Sequence, residues 1–131
     1  MEDVIAMDNE NVKLGRINRA VEKALEQDFG DDVWIYMAAK DVDAMAAKWP
    51  SVYLSRLSEA ARIIKHPDYA SYAPKKKTLY LIKEYFKEGE FSKVALEITN
   101  ETGWYLKIIY ALNPLKIKEI DEEAPIKRVE M

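Results

Sequence analysis

The chain has 131 residues, of which 49% are hydrophobic and 33% charged, with a formal net charge of −3 at neutral pH. That balance fits one globular domain rather than a disordered segment, and argues against broad, charge-driven nucleic-acid binding. No cysteine and a single histidine exclude disulfides, thiolate zinc sites, a cysteine nucleophile and a multi-histidine metal centre within one chain.

The charge is uneven. Residues 1–32 carry nine acids against four bases, a net of −5, whereas residues 62–93 carry eight bases against four acids, a net of +4. The middle of the chain is therefore able to face a phosphate backbone, or is an ordinary lysine-rich surface. The acidic start, MEDVIAMDNENVK, lacks the apolar block of a secretory signal, and no apolar run reaches the roughly 18 residues of a membrane span. A cytoplasmic protein without a membrane partner is expected.

In chain order, Leu14, Ile17, Val21, Ala24 and Leu25 recur at helical spacing. With Asn11 as N-cap and Gly30 beyond the end, they predict a helix over 11–28 within an acidic extension, residues 1–32. Val33–Met37 is β-branched and aromatic and predicts a strand. KDVDAMAAKWP predicts a short helix capped by Asp41 and limited by Pro50. A further helix capped by Ser51 ends at His66, because Pro67 pushes its predecessor out of helical geometry.

The second half reads as strands. KKTLYLIKEYF leads through Glu88-Gly89-Glu90 into SKVALEIT, and GWYLKIIYAL follows. A loop over Thr99–Gly103 would place Glu97 opposite Tyr105 and Ala95 opposite Lys107. LKIKEI predicts a short edge strand, and residues 121–131 a tail. The fold class expected is α+β, with N-terminal helices on one face of a three- to five-stranded antiparallel sheet. Its main unit spans residues 33–120, and the whole forms one compact domain.

The other sheet face would carry Lys93, Glu97, Tyr105 and Lys107. Metal-free RNA cleavage needs a base for the 2′-hydroxyl, an acid for the leaving oxygen and cations for the phosphorane. Glu97 or a perturbed lysine fits the base, Tyr105 or His66 the acid, and Lys93 and Lys107 the cations. The basic run Lys75, Lys76 and Lys77 would position RNA without reading its sequence. Cross-strand Glu, Lys and Tyr also occur on plain solvated sheets, and a histidine in a last helical turn also suits the helix dipole. Trp34, Trp49 and Trp104 are expected in the core. No nucleotide-binding or hydrolase loop motif is present.

Three segments carry a family resemblance: VWIYMAAKDVDAMAAKWP, ARIIKHPDYASY and KVALEITNETGWYLKIIYALNP. Together they resemble phage-associated nuclease-like domains of the barnase–EndoU–colicin–RelE superfamily, across residues 33–120. In IIKHPDY, His66 stands where the family pattern usually has asparagine, at a turn-forming position. The family's His-Pro pair aligns with Trp49-Pro50, and the preceding helix also lacks a histidine. Where the family often has threonine beside an aromatic, this chain has Ile109-Tyr110. The resemblance implies a small metal-independent ribonuclease of phage or toxin type, using Lys, Glu and Tyr and no cofactor. The alternative is an inactive module of the same fold that binds RNA, or a protein partner or inhibitor. The oligomeric state is left open.

Overall fold

The computed structural model describes residues 6–8 and 11–130, with side chains described from residue 11. The remaining positions of the expected acidic extension, 1–5, 9 and 10, lie outside the described residues. Among the described residues, eight strands form one mixed sheet in the order β1-β2-β3-β7-β6-β5-β4-β8, and four helices are interspersed with them. This corrects the expected three- to five-stranded antiparallel sheet with helices on a single face. Two antiparallel blocks meet at a parallel seam, where Tyr36 of β3 (Trp34–Met37) registers with Tyr105 of β7 (Trp104–Leu112).

The first block contains β1 (Ala6–Asp8), β2 (Asn11–Arg16) and β3, with α1 (Arg19–Leu25) between β2 and β3. The expected helix over 11–28 is thus a strand followed by a shorter helix. Val12 and Leu14 are two apart and both buried, the period of a strand. The helix begins only after Asn18, whose side-chain oxygen accepts from the Ala20 N–H at 2.8 Å. Asn11, expected to cap that helix, instead accepts from the Ala39 N–H at 3.2 Å and so caps α2 (Ala39–Lys48) from a neighbouring strand. Asp41 and Ser51 are not the caps: the N-cap positions are Ala38 for α2 and Val52 for α3 (Tyr53–Lys65).

The second block contains β4 (Tyr69–Ala73), β5 (Thr78–Lys87), β6 (Glu90–Asn100), β7 and β8 (Lys127–Arg128). The β5–β6 hairpin turns at Glu88-Gly89 with φ of 55° and 83°, the left-handed pair that a two-residue turn demands. LKIKEI is helical rather than an edge strand. It lies in α4 (Pro114–Glu123), with Pro114 in the first turn and Asn113 accepting from the Lys116 N–H at 2.8 Å. The C-terminal segment contributes β8 and the buried Val129.

The sheet separates two hydrophobic clusters. On the first face, Leu79, Leu81, Leu96, Ile98 and Leu106 pack against Val21 of α1, Met45 of α2, and Leu57, Ala60, Ile63 and Ile64 of α3. On the second, Ala73 and Tyr80 pack against Ile120 of α4 and Ala124 just beyond its end. The buried Ser71 hydroxyl donates to the Ala124 carbonyl at 2.7 Å and fixes the end of α4 to β4. Val12, Leu14, Val21 and Val129 share the first cluster with residues 35–109, so the core continues across positions 32 and 120.

Candidate functional site on the second sheet face

The register of β6 and β7 decides which side chains meet. The strands extend to Asn100 and Trp104, leaving a shorter loop than expected, and a bulge interrupts the ladder between Glu97 and Ile98. Glu97 therefore pairs with Ile108, and Ala95 with Tyr110, while Tyr105 pairs with Thr99. This corrects the expected pairs Glu97–Tyr105 and Ala95–Lys107. Lys107 is the unpaired extra residue and is exposed. One inserted residue inverts the alternation beyond it: Ile109 turns into the core, and Ile108 is 48% exposed.

Glu97 stands directly across from Tyr80 of β5, and its carboxylate accepts from the Tyr110 hydroxyl at 2.9 Å. Burial, then the hydrogen bond to Glu97, holds the Tyr110 proton far above the ordinary tyrosine range. Burial and the Glu97 charge also raise Tyr80. Both phenols thus stay protonated near neutrality, and the Tyr110 hydroxyl serves as the donor to Glu97. Beside them Lys76 pairs with Glu123 of α4 at 2.8 Å, and that hydrogen bond raises its pKa.

Towards β2 the same face becomes aromatic. Trp34 and Tyr36 alternate with the buried Ile35 and Met37 on β3, and Tyr105 follows on β7. The Tyr36 and Tyr105 rings are 6.0 Å apart. The Lys13 ammonium lies 4.2 Å from the Trp34 ring centroid, a cation–π distance. The Asn11 amide donates to the Tyr105 hydroxyl at 3.3 Å. The same Asn11 side chain caps α2, so strand, helix and aromatic face are tied at one residue.

The residues expected to act together are only partly gathered. Glu97 and Tyr105 share the second face, with Lys107 at the bulge beside Ile108. His66 is exposed at the end of α3, where its backbone carbonyl accepts from Lys83 Nζ at 3.1 Å. Among the described residues its ring makes no hydrogen bond or ion pair. Lys93 is engaged with Glu84 at 3.0 Å. Lys75, Lys76 and Lys77 lie exposed in the β4–β5 turn, with Lys76 held by Glu123. Of the three tryptophans, Trp104 is buried, Trp34 is half-buried, and Trp49 is 37% exposed with Lys48 and Arg56 over its ring.

Sequence reasoning gave no place in the site to Tyr80, Tyr36 or Lys13, read Asn11 only as a helix cap and noted Tyr110 only in the family resemblance. The period-two pattern of WIYM was a usable signal for Trp34 and Tyr36, because it sets both aromatics opposite Ile35 and Met37. Nothing local signalled Tyr110, since the bulge that faces it towards Glu97 has no sequence mark. No group of three or more His, Asp or Glu side chains able to hold a metal occurs among the described residues. Comparison with known proteins returns no matching family model, no matching curated protein and no matching solved structure.

Proposed function

We propose that this chain is a binding module that carries single-stranded RNA across the second sheet face, rather than a ribonuclease. The observation that carries this reading is the aromatic row Trp34, Tyr36 and Tyr105, which no helix covers among the described residues. Half-exposed rings of this kind give bases a stacking surface that tolerates any sequence. Lys13 and the unpaired Lys107 flank the row and suit phosphates. Against transesterification stands the fact that, among the described residues, the groups expected to form the relay already have partners. Tyr110 occupies the Glu97 carboxylate, Tyr105 is bonded to Asn11, and Lys93 is spent on Glu84. The resemblance to barnase–RelE-like domains that have lost their histidines agrees with a non-catalytic copy.

The test is fluorescence anisotropy of a labelled single-stranded RNA at low salt. Binding should weaken steeply as salt is added. The Tyr36→Ala, Tyr105→Ala double variant should bind about tenfold to a hundredfold more weakly, the range expected for lost base stacking. Absence of binding at low salt overturns the proposal. RNA cleavage in EDTA by the wild type, but not by a Glu97→Ala, Lys107→Ala variant, restores the nuclease reading in its place.

A further inference from the structure

A second concavity lies on the opposite side of the sheet, between α1, α3 and the strands β2 and β3. It encloses about 780 Å³, within the range of small-molecule sites. Leu14, Ile17, Val33 and Ile64 supply apolar lining. Gly15 belongs there for a steric reason, since a Cβ on it would come within 3.2 Å of Ile64 Cγ2. Glycine therefore lets β2 lie close under α3. The far wall is one stripe of α3, in which Ser58, Ala61, Arg62 and Lys65 follow helical spacing. Asn18 closes one end by capping α1 and donating to the Lys65 carbonyl at 2.8 Å.

The charges around this groove do not cancel. Arg16, Arg19, Arg62 and Lys65 border it against Glu22 and Asp32. Both acids are committed: Asp32 to Arg16, and Glu22 to the Phe29 N–H at 2.7 Å. Arg19 is turned to Asp31 at 3.1 Å. Arg62 and Lys65 form no side-chain hydrogen bond or ion pair among the described residues. They sit together in the last turn of α3, so two cations without an ion-pair partner among the described residues overhang an apolar trough that the Glu22 carboxylate also borders.

We propose that this groove is a binding site for an amphiphilic organic anion, with its alkyl or aryl body on Leu14, Ile17, Val33 and Ile64 and its carboxylate or phosphate head between Arg62 and Lys65. Apolar burial supplies affinity, and the two cations select charge at one end only. A free inorganic anion lacks the body, and a neutral alcohol lacks the head. The groove shares one lining residue, Trp34, with the RNA-binding row, whereas Arg62 and Lys65 lie on α3, across the sheet from Tyr36 and Tyr105.

The experiment uses 8-anilinonaphthalene-1-sulfonate as a fluorescent probe, displaced in separate arms by decanoate, decyl phosphate, decanol and inorganic phosphate. Displacement by decanoate or decyl phosphate, but not by decanol or inorganic phosphate, is expected, and the stronger of the two identifies the head group. An Arg62→Glu, Lys65→Glu variant should lose about tenfold or more in affinity for the anionic chain, as expected for reversing charge-assisted contacts. Circular dichroism checks its fold. Should that variant fail to fold, amide shift mapping on the wild type decides: decanoate or decyl phosphate must move Gly15, Ala61 and Lys65. Equal displacement by decanol, or shifts confined to the exposed Phe86 and Phe91, overturns the proposal.

Discussion

The two faces of the sheet solve different problems. The first is covered by α1, α2 and α3 over aliphatic side chains, and Leu79, Leu81, Leu96, Ile98 and Leu106 are all within 1% of full burial there. The second receives one helix, α4, which covers β4 and β5 and leaves tyrosines, a tryptophan, Glu97 and lysines towards β2. The same strands supply both faces, so alternate residues of one segment serve stability and recognition. Leu81 and Tyr80 are adjacent in sequence, yet one is in the aliphatic core and the other beside Glu97.

The largest expected effect breaks the helix-covered face. Leu81→Ala should cost about 3 kcal/mol, the usual range for a buried leucine that leaves a cavity. Urea denaturation checks it, and a loss well under about 1 kcal/mol would mean that this face is not the principal core.

Next comes the polar cluster. Tyr110→Phe removes the donor to Glu97 and should cost about 1 kcal/mol near neutrality. Its pH signature is more specific. Tyr110 holds its proton more tightly folded than unfolded. Its contribution is therefore complete below the unfolded value of about 10 and is lost as pH climbs towards the folded one. Wild-type stability should thus fall more steeply above about pH 10 than that of Tyr110→Phe, as read from denaturation curves across that window. Parallel curves would remove the assigned role of the Glu97 contact.

The smallest effect is on the open part of the second face. Ile108→Ala should stay within about 0.5 kcal/mol, because that side chain is already 48% exposed. A larger loss in the same denaturation assay would show that something covers it.

Much of the chain from Trp34 to Leu112 was legible in the sequence. The strand at Trp34–Met37, the two helices after it, the Glu88-Gly89 turn and the three long strands all follow from periodicity, turn chemistry and proline geometry. Two kinds of signal misled. At 11–28, Leu14 and Ile17 fall at helical spacing although Leu14 belongs to a strand and Ile17 to the link before α1, and Asn18 was the real cap. At 115–120 alternation suggested a strand, but Asn113-Pro114 is a helix start and Ile120 faces the sheet from α4. The parallel seam between β3 and β7 joins residues far apart in sequence, so no local pattern reports it. For the site, lysines, Glu97 and Tyr105 were visible as residue types on strands, but their neighbours depended on the bulge.

The bulges deserve to be read as changes of parity. Leu14 in β2 and Lys107 in β7 each add a residue to a strand without adding a rung to the ladder. In β7 the core is reached by even positions before the bulge, Trp104 and Leu106, and by an odd one after it, Ile109. In β2 Val12 faces the core before the extra residue and Gly15 meets Ile64 after it. Each strand is thus written in two reading frames. These two strands flank β3, so the frame shifts sit on both sides of the parallel seam, and a face can be assigned by counting only within one frame.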